Sequence, residues 1–288
     1  MRSVVSLVAA GAASLLSSAA FAADMPIMPP AYPAPVVEDF GGWYLRGDIG
    51  FSNQQVRNVR KSDDAAYSQI NSLTQTSDFD TAGIFGVGVG YQFNNWFRAD
   101  VTGQYRGRSN FKGSDVFTGS AYGLTYNAAD NYNASKSELL FLANAYVDLG
   151  TWWCVTPFIG AGVGTSRVTI SNFTDSGVTN LQLANPPYIG GPPVSSFATA
   201  SSGSKWNFAW AAHAGLAYKI SQSATLELAY SYVNLGSGTT GEIRAFDGYH
   251  AGNVFKFNDI TSHDVTLGVR WELNAPEIYA PPPLVRKG

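Results

Sequence analysis

The sequence predicts an all-β fold: an eight-stranded antiparallel transmembrane up-and-down β-barrel with short periplasmic turns and long extracellular loops. Eight segments place an apolar residue at every second position, as a strand does when its side chains alternate between two faces. The connections between these segments alternate in strict order between short and long. The only long apolar run starts the chain, and no later run reaches the roughly 20 apolar residues that a transmembrane helix needs.

The chain divides into four predicted parts. The first is a signal peptide, because Arg2 precedes an apolar run that closes with Ala20-Phe21-Ala22, a typical cleavage site. The parts are the signal peptide at 1–22, a Pro-rich periplasmic linker at 23–39, the barrel at 40–274 and a Pro-rich periplasmic tail at 275–288. Export combined with a barrel predicts the cell outer membrane of a Gram-negative bacterium, with both termini in the periplasm.

Each predicted strand is near the ~9–11 residues that a tilted strand needs to cross a bilayer. The strands are Trp43–Phe51, Ile84–Phe93, Trp96–Arg106, Glu138–Leu149, Val155–Thr165, Trp206–Ile220, Thr225–Val233 and Thr261–Leu273. One face of every segment is apolar, as Leu45 and Ile49 show in the first and Trp206 and Phe208 in the sixth. The opposite face carries glycines in the second and fifth segments and charged residues in most of the others. Aromatic residues at the strand ends favour lipid on the apolar face.

The connections distinguish this barrel from a soluble β-sandwich. The short ones are Asn94-Asn95, Gly150–Cys154 and Ser221–Ala224, and the long ones are Asn53–Gly83, Gly107–Ser137, Ser166–Lys205 and Asn234–Ile260. Tight turns at one end and long loops at the other are typical of outer-membrane barrels. A count of ten strands stays open if Asn53–Gly83 or Ser166–Lys205 contains a hairpin.

Composition excludes several classes of function. The net charge is −3 and no run of lysine or arginine could follow nucleic-acid phosphates, so nucleic acid is not expected as a partner. The single cysteine, Cys154, permits neither an intramolecular disulfide nor a Cys₄ zinc site. Ser262 and His263 are adjacent on a strand and therefore face opposite ways. We expect no catalytic pair, no metal and no resident cofactor.

Four motifs resemble a known group of proteins. They are Gly42–Gly50 (GWYLRGDIG), Gly86–Phe93 (GVGVGYQF), Thr156–Gly164 (TPFIGAGVG) and His263–Trp271 (HDVTLGVRW). The sequence resembles the opacity-type, OmpA-like small outer-membrane barrels, nearest to the major outer-membrane proteins of rhizobia and Brucella. The resemblance implies a surface protein that supports envelope integrity, contacts outer-membrane lipid and lipopolysaccharide, and is inserted by the barrel assembly machinery. It also implies that weak pore activity or haem binding occurs in some relatives.

Eleven charged residues are predicted to project into the barrel. They are Arg46, Asp48, Arg98, Asp100, Arg106, Glu138, Asp148, Glu227, Asp264, Arg270 and Glu272. An eight-stranded barrel is only wide enough to be filled by side chains, and charges there are costly unless they are paired. Two interpretations stay open: a network of salt bridges that stabilises the barrel, or a gate in a narrow pore for ions and very small solutes.

The alternative to a structural or weakly porin-like protein is a binding protein. Long loops could bind a host receptor or haem; the candidate axial ligands for haem are His250 and Tyr249 in the last loop and His213 on the inner face of the sixth strand. No Cys-x-x-Cys-His motif is present, so covalent haem attachment is excluded. A lipid-modifying barrel enzyme is a more distant alternative.

Overall fold

The computed structural model describes residues 41–62, 68–183, 190–250 and 252–273, and almost all of them lie in β-strands. The strands are β1 (Gly42–Lys61), β2 (Ile70–Phe79), β3 (Ala82–Gln92), β4 (Phe97–Ala121), β5 (Leu124–Asp148), β6 (Val155–Leu183), β7 (Val194–Ala200), β8 (Gly203–Lys219), β9 (Ala224–Ala245) and β10 (Val254–Glu272). The predicted signal peptide, linker and tail lie outside the described residues. Within the described part of the chain, no helix is long and apolar enough to cross a membrane.

Eight of these strands close into a ring. They are β1, β3, β4, β5, β6, β8, β9 and β10, each antiparallel to the next, and β10 pairs back onto β1. A row of paired residues that starts at Tyr44 passes once round the ring and returns to β1 at Gln54, ten residues further along. This stagger makes the strands tilt relative to the barrel axis and fixes the width of the interior, which is narrow enough for side chains to fill. The predicted eight-stranded antiparallel barrel is confirmed.

The other two strands extend members of the ring. β2 ends at Phe79, just before β3 begins at Ala82, and β2 pairs with β4. β7 ends at Ala200, just before β8 begins at Gly203, and β7 lies between β6 and β9. Both lie in the two connections for which the sequence leaves an additional hairpin open. They lengthen the barrel wall, and the ring keeps eight members.

The strands are much longer than a membrane requires. β4 and β5 have 25 residues each and β6 has 29, against the ~9–11 expected for a tilted span. β4 and β5 are joined by Tyr122 and Gly123, both at positive φ (52° and 78°), as a two-residue hairpin turn requires. The connections predicted as long loops are therefore largely paired strand where the structure describes them. We call this end of the barrel the long-hairpin end and the opposite end the short-turn end.

An apolar belt surrounds the barrel near the short-turn end. Large apolar side chains of the ring strands point outward and are exposed, as in Ile49 (59%), Phe85 (61%), Val101 (58%) and Phe208 (69%). A continuous exposed apolar surface of this kind marks contact with lipid.

Candidate functional site

The two faces of the barrel wall exchange their polarity along the strands. On β6, Ile159 and Val163 are about half exposed on the outer face, whereas Val168 and Ile170, further along, are completely buried inside. Beyond the apolar belt the interior therefore becomes apolar and the outer surface becomes mainly polar. A wall that faces lipid needs apolar residues outside, and a wall that faces water needs them inside.

We call the part of the barrel around this apolar interior the extension. Its core consists of Val59, Phe79, Phe111, Tyr132, Ala134, Leu140, Leu142, Val168, Ile170, Phe173, Ala209, Ala211, Val233, Leu235, Ile243, Phe255, Phe257 and Ile260. Aromatic rings dominate it: Tyr132 and Phe173 lie 4.7 and 4.8 Å from Phe255, centroid to centroid, and Phe111 lies 5.0 Å from Phe257. This core fills the barrel at its long-hairpin end.

Near the short-turn end, one carboxylate faces three arginines. Glu227 lies 3.3 Å from Arg98, 3.5 Å from Arg270 and 3.7 Å from Arg46, measured between the charged atoms. All four side chains are at most 8% exposed. Arg98 also lies over the ring of Tyr146, at 4.3 Å from its centroid. Because an unpaired charge is costly in such an interior, Glu227 balances cations brought from three different strands.

Three aspartates complete this cluster. Arg46 pairs with Asp48 at 2.8 Å and with Asp100 at 3.0 Å, and Arg98 pairs with Asp148 at 3.2 Å. These contacts join β1, β4 and β5 across the interior. The result is a connected network of charges across the lumen.

A second polar layer separates this cluster from the core of the extension. Arg106 pairs with Asp264 at 2.6 Å and donates hydrogen bonds to the hydroxyls of Ser52 (3.1 Å) and Ser262 (3.0 Å). These side chains join β1, β4 and β10 at one level of the barrel.

Lys136 connects this layer to the apolar core. Its ammonium contacts Glu138 and Gln54, and it lies 4.4 Å from the ring centroid of Phe79. Gln54 in turn donates a hydrogen bond to Glu138 at 3.0 Å. The polar part of the lumen therefore passes directly into the aromatic core with its charges paired.

The structure places ten of the eleven predicted lumenal residues in these ion pairs. Glu272 is half-buried at the short-turn end, in register with Tyr44. Sequence reasoning did not include Tyr146 and Lys136. Lys136 stands two residues before the predicted start of strand four at Glu138, so the same alternation carried one step further would have found it.

His213 lies inside the barrel, where it has polar partners on two other strands. Its Nδ1 lies 2.8 Å from Ser231 Oγ and its Nε2 lies 3.2 Å from Asn144 Oδ1, while the Asn144 amide donates to Asp100 at 2.8 Å. Since Asn144 Oδ1 can only accept, we assign the proton to Nε2 and the acceptor role to Nδ1. The cavity beside it has about 20 Å³, which is space for one water.

The three predicted haem ligands do not form one site. Tyr249 and His250 are exposed in the connection between β9 and β10, where His250 Nδ1 lies 2.8 Å from Glu242, and His213 lies apart from them in the lumen. A loop-borne site would have to use Tyr249 or His250 without His213. Haem binding stays a prediction.

The extension also encloses an acidic group. Asp115 and Asp130 are directly opposite on β4 and β5, and Tyr132 Oη donates to Asp115 at 3.1 Å. Burial, and then the charge of Asp130, raises the pKa of Asp175 to about 7, which Lys61 partly opposes. Between about pH 4 and pH 7 the folded chain therefore binds more protons at Asp175 than the unfolded chain does. This contribution makes the extension less stable as the pH rises through that interval.

The apolar belt, the closed antiparallel ring and the paired charges inside it define a transmembrane β-barrel. The chain belongs to the family of the outer membrane protein beta-barrel domain, whose model matches residues 8–272. It is therefore an outer-membrane protein in contact with the lipid of that membrane. The finer assignment to opacity-type or OmpA-like barrels stays a prediction.

Three relatives illustrate the family. An uncharacterised protein of Brucella abortus (strain 2308) is 30% identical over 285 residues, covering 88% of this chain and 93% of its own length. The outer membrane protein PagN of Salmonella typhimurium (strain LT2) is 26% identical, covering 80% of this chain and 89% of its own length. A Rickettsia bellii (strain RML369-C) protein named as a candidate adhesin is 27% identical, covering 93% of this chain and 98% of its own length.

Proposed function

We propose that this chain is a structural surface protein whose extension stands outside the cell and binds a protein partner, such as one on a host surface. In this proposal both termini lie in the periplasm and the long-hairpin end faces the exterior. The observation that carries it is the polarity exchange of the wall: the extension has its own buried core and a mainly polar outer surface. We also expect insertion by the barrel assembly machinery.

An apolar stripe on the outer surface of the extension is the candidate contact surface. It consists of Val116, Ala129, Val178, Phe197 and Phe246 on β4, β5, β6, β7 and the β9–β10 connection. Val116, Ala129 and Val178 are successive partners across the strands, and the Phe246 amide donates to the Phe197 carbonyl at 2.9 Å. Val116 is 57% exposed and Phe246 is 88% exposed. Exposed apolar residues in a polar surrounding favour a protein contact.

The core beneath the stripe supports this role. Paired strands around packed aromatic rings hold a surface in one shape, so a partner that binds it does not have to order it first. The relative named as a candidate adhesin matches along nearly its whole length and is in keeping with surface binding. The filled interior, in contrast, does not favour passive diffusion through the barrel.

The proposal is tested by attachment of cells that display the protein. A non-adherent Gram-negative strain expressing the chain is expected to be retained on cultured eukaryotic cells. The double substitution Phe197→Ser and Phe246→Ser should reduce retention to the level of the empty vector, because it removes the two largest side chains of the stripe.

The matched control is Tyr122→Asn, which removes a 98% exposed aromatic side chain from the β4–β5 turn, outside the stripe, and leaves a residue that accepts positive φ. This variant should adhere as the parent does. Surface amounts are equalised with an antibody to an epitope tag. Equal retention of the double variant and the parent would exclude the stripe as the contact surface.

A further inference from the structure

A groove runs along the lipid-facing side of β1, β3, β4 and β5. It has a volume of about 550 Å³ and is almost entirely apolar. Its walls are formed by outward side chains within the apolar belt, namely Ile49, Phe85, Val87, Tyr105, Leu139 and Phe141. A groove of this size within the belt contacts an acyl chain on several sides, whereas the convex wall around it contacts a chain on one side only.

Two glycines form the floor of the groove. Gly47 and Gly103 face lipid in the same cross-strand row, on either side of Val87. A Cβ at Gly47 would meet no atom within 4 Å, so the space above this residue is open. At Gly103 the ring of Phe141 lies 3.3 Å from the position of a Cβ and forms one side of the channel. The groove is therefore open above Gly47, which carries no side chain, whereas the Phe141 ring lies beside Gly103.

A β-bulge places one arginine at the long-hairpin end of the groove. On β4, Arg106 pairs with Glu138 and Ser109 pairs with Lys136, so β4 has one more residue than β5 between these pairs. Regular alternation would turn Arg108 inward with Arg106, but the bulge turns Arg108 to the outer surface, where it is exposed. The bulge therefore sets a cation just above Tyr105.

A second arginine stands on the other side of β5. Tyr105, Leu139, Arg167 and Trp206 are successive partners on β4, β5, β6 and β8, and all four face outward. The Trp206 ring stacks on Phe141, 6.5 Å between centroids, and tryptophan is enriched at the headgroup level of membrane proteins. β4 and β6 are two strand spacings apart, about 10 Å. Arg108 and Arg167 can therefore approach the same headgroup above Leu139.

We propose that this surface is a binding site for a phosphorylated, multiply acylated glycolipid of the outer leaflet, the lipid A part of lipopolysaccharide. The groove takes an acyl chain, and Arg108 and Arg167 bind a phosphate of the sugar headgroup through charge-assisted hydrogen bonds. The site rests on the proposed orientation, since this glycolipid belongs to the leaflet at the long-hairpin end. It does not depend on partner binding by the apolar stripe.

The test uses the purified, folded full chain in nanodiscs of phosphatidylcholine with increasing amounts of lipid A or phosphatidylglycerol. Native mass spectrometry counts the lipids that stay bound. The parent is expected to retain lipid A at lower mole fractions than phosphatidylglycerol. The double variant Arg108→Gln and Arg167→Gln should need roughly tenfold more lipid A for the same occupancy. Gly47→Leu, whose Cβ would meet no atom within 4 Å and whose side chain would extend into the groove, should weaken retention several-fold as well.

Two controls are matched to these variants. Arg244→Gln removes an exposed arginine that pairs with Glu242 at 3.3 Å, away from the groove, and Ala161→Leu enlarges a lipid-facing residue of β6 that does not line the groove. Both should bind lipid A as the parent does. Unchanged binding by the arginine double variant or by Gly47→Leu would overturn the site, and equal retention of phosphatidylglycerol would overturn the choice of glycolipid. The nanodisc assay uses isolated protein, so its result does not depend on whether the chain attaches cells to a surface. Failure of the glycolipid site and failure of the proposed partner binding can therefore be told apart.

Discussion

Replacing Glu227 with glutamine is expected to destabilise the folded barrel by about 3–5 kcal/mol, the usual cost of leaving buried charges without their partner. Glu227 is 2% exposed and lies within 3.3 to 3.7 Å of Arg46, Arg98 and Arg270. Within the described residues, Glu227 is the only carboxylate that pairs with Arg270. The substitution keeps the shape of the side chain and removes the charge, so the effect reports electrostatics and not a cavity.

Unfolding of the barrel in lipid vesicles by urea, followed by tryptophan fluorescence and by gel mobility of the folded form, measures this change. A second substitution, Arg270→Gln, should restore part of the lost stability because it removes one of the unbalanced cations. The control is Glu242→Gln, whose pairs with Arg244 and His250 are exposed to solvent and should contribute little. Equal midpoints for Glu227→Gln and the parent would show that the cluster does not stabilise the barrel.

Replacing Phe257 with alanine is expected to cost about 3–5 kcal/mol as well, but in a different part of the molecule. Phe257 is completely buried and packs on Phe111, Phe79 and Phe255 at 5.0 to 6.3 Å between centroids. Its loss leaves a cavity in the core of the extension. We therefore expect the long hairpins to become sensitive to protease while the lipid-facing part of the barrel keeps its folded mobility on a gel.

Limited proteolysis of the protein in lipid vesicles measures this second change, with fragment masses assigning the cut sites. Phe246→Ala is the matched control, because Phe246 is 88% exposed and its removal leaves no cavity. If the long hairpins of Phe257→Ala resist the protease as well as those of the parent, the aromatic core does not hold the extension together.

The lipid-facing half of the fold could be predicted from sequence because one rule governs it. Each strand there keeps apolar residues at alternate positions, and the short turns end the pattern clearly. The sequence pattern predicts a strand that ends at Thr165, whereas β6 continues to Leu183. The pattern breaks because Val168 and Ile170 lie on the inner face and because the chain has a bulge at Asn172, at φ 55°. One continuous alternation therefore ends where the outer face of the wall changes from apolar to mainly polar.

The candidate site shows the same limit at the level of single residues. Alternation could place Arg98 and Glu227 inside the barrel, but their contact depends on the register of strands far apart in the chain. Arg108 could not be placed at all, because the bulge that turns it outward leaves no clear signal in the sequence. The local pattern thus predicts which face of a strand a charged side chain lies on. Its ion-pair partners and the positions of β-bulges are set by tertiary structure.

We infer that the wall leaves the lipid where its faces exchange polarity, so that the extension stands in water outside the cell. Two single cysteines on the outer face of β6, Val163→Cys and Val178→Cys, test it directly in a Cys154→Ser background. Intact cells treated with a membrane-impermeant maleimide should label the Val178→Cys variant and leave the Val163→Cys variant unlabelled. Labelling of both positions, or of Val178→Cys only after the cells are lysed, would contradict an extension that stands in water outside the cell.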